Sequence, residues 1–200
     1  MVDDGSTDDT AAAASDAGRG WPAVRVLSLG QNTGKGAAVR AGMLAAVGAR
    51  RLFTDADGAT PIAELARLEV ALDAGADVAI GSRAVRAASV TVRARPSRIV
   101  AGRVFNWLTG HLGLPGIVDS QCGFKAFTAE AADVLFPRLT TRGFGFDVEL
   151  LLLARCRGLR IAEIAVNWED QTGSKVGVLR HGPVMLWQVV RAWRRVRCAR

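Results

Sequence analysis

Short apolar runs alternate with longer amphipathic stretches along the chain. That alternation predicts an α/β fold with a mainly parallel sheet flanked by helices. Met1-Val2 reads as the end of a strand, followed by a turn at Asp3-Asp4-Gly5-Ser6-Thr7 and an Ala-rich helix that Thr7 or Asp8 would cap. Further strands are expected at 24–29, 51–54, 77–81 and 160–168, with a loop and strand over 116–128. Helices are expected at 37–47, from Pro61 onward, at 97–111, at 146–156 and at 183–197. Residues 82–98 lack apolar periodicity and carry Arg83, Arg86, Arg93, Arg95 and Arg98, which predicts a mobile basic loop. In the last helix Leu186, Val189, Val190 and Trp193 share one face, with Arg191 and Arg195 opposite. Residues 1–179 therefore read as one domain, with a basic amphipathic helix at 180–200.

Composition narrows the classes. With 200 residues, half of them hydrophobic, the chain can bury a sizeable core. The net charge of +7 points to a phosphate-bearing partner or an anionic surface. Nucleic acid fits poorly, because only 6% of residues are aromatic, there is no Tyr, and the strand ends are acidic. The three cysteines, Cys122, Cys156 and Cys198, have neither metal-ligand spacing nor an even count, which suits a reducing compartment. No run of 18 apolar residues marks a spanning helix.

The candidate chemistry lies where strands end. Asp55 and Asp57, in Thr54-Asp55-Ala56-Asp57-Gly58, follow an apolar strand, and ligands of open α/β sheets bind at that edge. Two carboxylates one residue apart can face one Mg²⁺ or Mn²⁺, although the spacing alone also suits a solvated turn. Asp3 and Asp4 end another strand, where they can either bond a nucleoside or shape the turn. Asn32-Thr33-Gly34-Lys35-Gly36 has the glycines of a phosphate loop but not the Ser or Thr after Lys that a Walker site requires. Asp147 and Glu149 open a helix, where two carboxylates in the first turn interact favourably with the helix dipole.

Seven segments, in order, resemble family-2 inverting glycosyltransferases with the glycosyltransferase-A fold, in particular the dolichyl- and polyprenyl-phosphate hexosyltransferases. They are VDDGSTDDT at 2–10, NTGKGAAVRAGM at 32–43, TDADGATP at 54–61, GSR at 81–83, DSQCGFKAFT at 119–128, GFGFDVELLLLA at 143–154 and VNWEDQTGSKV at 166–176. The resemblance implies that Asp3, Asp4, Lys35 and Gly36 hold the nucleotide-sugar, and that Asp55 and Asp57 bind Mg²⁺ or Mn²⁺ with the donor diphosphate. It also implies that Asp119, Gln121 and Asp147 sit at the reacting sugar, while Arg83, Lys125, Ser174 and Lys175 meet the acceptor phosphate. The implied partners are UDP-glucose or GDP-mannose, a polyprenyl phosphate and a membrane surface, without nucleic acid. The implied place is cytoplasmic, peripheral on the inner face of the cell membrane. The alternatives are an inactive fragment, another glycan or lipid acceptor, or, outside enzymes, a basic nucleic-acid-binding protein. Family members begin with a further strand and helix before Val-Asp-Asp, so the resemblance also implies that the protein extends upstream of Met1.

Overall fold

The structure, a computed structural model, describes residues 1–171 and 178–198. Ser174 and Lys175 lie outside the described residues. In chain order the elements are β1 (Val2–Asp3), α1 (Thr10–Ala17), β2 (Leu27–Ser28), α2 (Lys35–Ala45), β3 (Arg50–Thr54), α3 (Leu65–Asp73), β4 (Val78–Ser82), β5 (Val92–Arg93), α4 (Pro96–His111), β6 (Phe124–Thr128), α5 (Ala129–Leu135), α6 (Phe146–Cys156), β7 (Ile161–Ala165), β8 (Trp168–Glu169) and α7 (Val178–Cys198).

A four-stranded sheet in the order β3-β6-β4-β7 forms the centre. Three ladders are parallel: β4 with β7, β1 with β2, and β5 with β8. β6 runs antiparallel to both of its neighbours. Alternation along the strands sends Phe53, Val78, Ile80 and Phe127 to one face and Leu52, Ala79, Phe124 and Ala126 to the other. The first face is covered by α2, α5, α6 and α7, and the second by α3 through Leu68, Ala71 and Leu72. The result is three layers with both faces of the sheet buried.

Several expected elements differ in extent. The strand expected at 24–29 shortens to Leu27–Ser28, and Val24 is exposed. The helix expected from Pro61 opens with a 3₁₀ turn at Ile62–Glu64 before α3 begins. Neither Thr7 nor Asp8 caps α1: the capping position is Asp9, and Asp8 instead accepts bonds from the backbone N–H and the hydroxyl of Thr10. The basic segment 82–95 is tethered, because β5 pairs with β8 and the Thr91 N–H donates to Asn167 Oδ1 at 2.7 Å. In α7, Val189, Ala192 and Val196 are buried and Trp193 packs against the same core, so α6 covers part of the expected apolar face, while Leu186 stays exposed.

Candidate active site

The carboxyl ends of the strands converge, and the acidic segments meet there. Leaving β3, the chain places Asp55 so that its N–H donates to Gly123 O at 3.0 Å, just before β6. A side chain on Gly123 would occupy the space of the Asp55 carboxylate. Asp55 Oδ1 is paired at 2.7 Å with Lys35 Nζ, which comes from the first residue of α2. Burial alone would lower the Lys35 pKa, but Asp147 and Asp55 outweigh it and hold it above the usual lysine value. Asp57 is exposed, and one of its oxygens accepts the Ala59 N–H at 3.0 Å.

Below this loop, Lys125 is fully buried, as β6 dictates by turning it to the same face as Phe127. Its ammonium donates to Cys122 O and to Asp147 Oδ1, both at 2.5 Å, and lies 5.5 Å from the Phe53 ring centre. Lys125 therefore does not reach a surface where an acceptor phosphate could meet it. It is the cation of a buried pair. Burial pushes the Asp147 carboxyl up, while Lys125 and Lys35 pull it back only in part. Glu149, two residues on, turns away: its oxygens accept from the Thr140 and Thr141 N–H groups and the Thr140 hydroxyl. Of the two acidic residues that open α6, Asp147 is the one beside the site.

On the other side, Asp119 is buried and bidentate with Arg83, from Nε at 2.7 Å and Nη2 at 2.8 Å, with the Arg83 N–H also donating at 2.9 Å. Burial would raise the Asp119 pKa, but the hydrogen bonds and charge of Arg83 prevail and hold it below the usual carboxylate range. Arg83 is raised in turn, the same bond overcoming its own burial. Its guanidinium lies 5.4 Å from the Trp168 ring centre. Gln121 donates its N–H to Asp119 Oδ1 at 3.2 Å, and its side-chain Nε2 is buried without a hydrogen-bond partner among the described residues. The Cys122 thiol, beside them, is pushed up to about 11, chiefly by burial. It is an unreactive packed residue.

The remaining sequence-derived residues have loop-holding contacts. Asp3 accepts from the Ser6 N–H and the Ser28 hydroxyl, and the bonds from Ser6 lower its pKa. Asp4 accepts from Thr33 N and Oγ1 at 2.7 and 2.6 Å and from Gly34 N at 2.8 Å, tying the first turn to the Gly-rich loop. Gly36 is buried, and a Cβ there would come within 2.3 Å of Thr141 O and 2.6 Å of Phe146 Cβ. Gly36→Ala is therefore expected to destabilise the fold by roughly 1–3 kcal/mol, read as a lowered urea midpoint. Glu163 of β7 was not evident as a site residue in the sequence. It accepts from the Val118 and Asp119 N–H groups at 2.9 and 2.7 Å and fixes the backbone that carries Asp119.

A pH effect follows from the Arg83–Asp119 pair. A carboxylate with a depressed pKa stabilises the fold above its ordinary value near 3.8, and that contribution is lost as pH falls through the lower folded value. Asp119→Asn should therefore cost stability at neutral pH. The gap from the parent should narrow as pH drops below about 4, measured by urea unfolding across pH.

A divalent cation can be tested against these residues. Among the described residues no cluster of three His, Cys, Asp or Glu side chains could hold a metal by itself. Asp55 and Asp57 provide two hard oxygen donors, which suits Mg²⁺ or Mn²⁺ completed by substrate phosphate oxygens rather than an all-protein cage.

Residues 1–136 match the model of glycosyl transferase family 2. The chain belongs to glycosyl transferase family 2. It is 42% identical over 184 residues to dolichyl-phosphate beta-glucosyltransferase of Drosophila melanogaster, covering 88% of this chain and 56% of that protein. The human protein of the same name is 40% identical, over 88% of this chain and 57% of its own length. The chain thus spans about half the length of the curated relatives it matches. The fold is shared with glucosyl-3-phosphoglycerate synthase of Mycobacterium tuberculosis, whose crystal structure holds Mn²⁺, UDP and glucosyl-3-phosphoglycerate. The TM-score is 0.72 at 23% identity, over 98% of this chain and 67% of that one. That likeness establishes the glycosyltransferase-A architecture.

Proposed function

We propose that the chain carries the catalytic domain of an inverting, metal-dependent hexosyltransferase that moves glucose or mannose from UDP-glucose or GDP-mannose to a polyprenyl phosphate. The observation that carries this reading is a groove of about 470 Å³ beside Arg83 and Asp119. Val85, Val90, Val92 and Ile99 make it apolar, while Arg83, Arg86 and Arg103 make it cationic. A phosphate at the head of a hydrocarbon chain meets both requirements. The similarity to dolichyl-phosphate beta-glucosyltransferases points the same way and favours glucose.

An acceptor phosphate is ionised near neutral pH, so its oxygen can attack the anomeric carbon without first losing a proton to a base. As that bond forms, the bond to the donor diphosphate breaks and the nucleoside diphosphate leaves with the electron pair. Asp119, held ionised and bidentate by Arg83, acts by orientation: it fixes the guanidinium fork that meets phosphate. Gln121 Nε2, without a partner among the described residues, would be free to donate to the reacting sugar. Lys35 neutralises charge developing near Asp55. When bound at Asp55 and Asp57, a divalent cation offsets the charge of the leaving diphosphate.

An apolar membrane contact fits α4. Among the described residues no helix is long and apolar enough to cross a membrane. On α4, Val100, Val104 and Trp107 share one face and stay exposed beside the groove. Trp107→Ser with Val104→Ser should weaken co-sedimentation with phosphatidylcholine–phosphatidylglycerol vesicles several-fold without lowering the melting temperature.

The direct test is transfer from each donor to polyprenyl phosphate, with and without Mn²⁺. Absence of any transfer to lipid phosphate, with transfer to 3-phosphoglycerate instead, would overturn the acceptor assignment.

A further inference from the structure

A second pocket, of about 310 Å³, lies between α7 and the segment 140–143. It takes no part in the site above and does not depend on the reaction proposed there. Trp187, Arg191 and Arg195 follow one another at intervals of four on α7, so one helical face lines the wall. Thr141 and Arg142 line the floor. The Arg191 guanidinium lies 5.3 Å from the Trp187 ring centre, which leaves its donor edges free. Arg195 reaches Thr141 Oγ1 at 3.4 Å and Glu149 Oε1 at 3.8 Å.

The charges here are unbalanced. Among the described residues, Glu149 is the carboxylate that pairs with a pocket arginine, and it already accepts three hydrogen bonds from Thr140 and Thr141. It offsets part of one guanidinium out of three. Among the described residues, no carboxylate forms an ion pair with Arg142 or Arg191. Like charges four apart on a helix repel, and converging them in a concavity is unfavourable until an anion enters. Guanidinium forks from two separate elements, beside an aromatic face, match the several acceptor oxygens of phosphate better than a single carboxylate.

The floor also has a fixed connection. Arg142 O accepts from Gly36 N at 2.6 Å and Ala37 N at 3.2 Å, and a side chain at Gly34 would collide with it. The pocket therefore backs onto the start of α2, next to Lys35.

We propose that Arg142, Arg191 and Arg195 form a phosphate-binding pocket, separate from the acidic-loop site, for a soluble phosphorylated compound or an anionic lipid headgroup. The test uses the intact chain with a chelator present. One arm titrates inorganic pyrophosphate by calorimetry. The other measures co-sedimentation with phosphatidylcholine vesicles containing phosphatidylglycerol. Arg142→Ala with Arg191→Ala is compared with the parent and with Arg25→Ala plus Arg157→Ala, which removes two exposed arginines elsewhere. Arg191→Gln alone guards against misfolding of the double variant. Binding at least about ten-fold weaker in the pocket variants, and not in the control, supports the pocket. Loss in the pyrophosphate arm assigns a soluble ligand, and loss in the vesicle arm assigns a headgroup. The proposal is overturned if the parent binds neither probe, if the pocket variants bind both like the parent, or if the control weakens binding equally.

Discussion

Asp57→Asn is expected to reduce sugar transfer by at least about a hundred-fold and to abolish Mn²⁺-dependent stabilisation by UDP, while leaving the fold intact. The expectation rests on how little else Asp57 does. It is exposed, and among the described residues its side chain accepts one hydrogen bond, from the Ala59 N–H, which an Asn side-chain oxygen can still accept. What Asn lacks is the negative charge. Removing one element of transition-state charge stabilisation typically costs about 3–4 kcal/mol, or two to three powers of ten in rate. Asp55→Asn is a less clean probe, because Asp55 also carries the Lys35 ion pair and lies against Gly123. Differential scanning fluorimetry with UDP, with and without Mn²⁺, separates the two effects. Near-parental activity in Asp57→Asn would remove the metal role from the acidic loop.

Lys125→Met is expected to be the most destabilising substitution in the site, at about 3–5 kcal/mol. Lys125 has no exposed surface, and Asp147 is 2% exposed, so the pair exists without solvent to replace either partner. Taking away the ammonium leaves a carboxylate beneath the Phe53 and Phe146 layer, whose pKa burial already raises. Proton uptake by Asp147 would then limit the loss, so the deficit should shrink at mildly acidic pH. The double variant Lys125→Met with Asp147→Leu removes both charges and should recover much of the stability, which a double-mutant cycle by urea unfolding would show. A loss below about 1 kcal/mol in the single variant would mean that the pair is solvated in solution and that its burial has been misread.

Lys125 shows what the sequence can and cannot convey. In Phe124-Lys125-Ala126-Phe127 the alternation alone places Lys125 on the face of Phe127. Both faces of the sheet are covered, so that lysine needs a buried carboxylate, and the sequence reading instead put it at an acceptor phosphate. The missing information was the antiparallel insertion of β6 between β3 and β4, since strand direction leaves no mark on residue pattern. The turns at Asp3-Asp4 and Asp55-Asp57 were legible because Asp follows an apolar run there, whereas Asp119 and Asp147 were marked as site residues only by the family resemblance; the structure brings both near Asp55. Asp4 was legible as a site residue but not in its contacts, because its partners Thr33 and Gly34 are distant in sequence. The amphipathic pattern of α7 marked Val189 and Trp193 as inward-facing, but not the exposure of Leu186. What it could not distinguish is a protein core from a lipid surface, and the structure puts α6 against that face.

Glu163 was not evident from sequence, since an acidic residue in a strand reads as solvent-facing. Its two oxygens take the N–H groups of Val118 and Asp119, and Asp119 in turn takes three bonds from Arg83. The guanidinium is thus held by a carboxylate that is itself held by the sheet. The ordering entropy of that fork is spent when the chain folds rather than when a phosphate arrives. Loosening Glu163 would make each binding event bear that entropy, so Glu163→Gln should show as a slower, less selective acceptor step even though the residue need never touch a substrate.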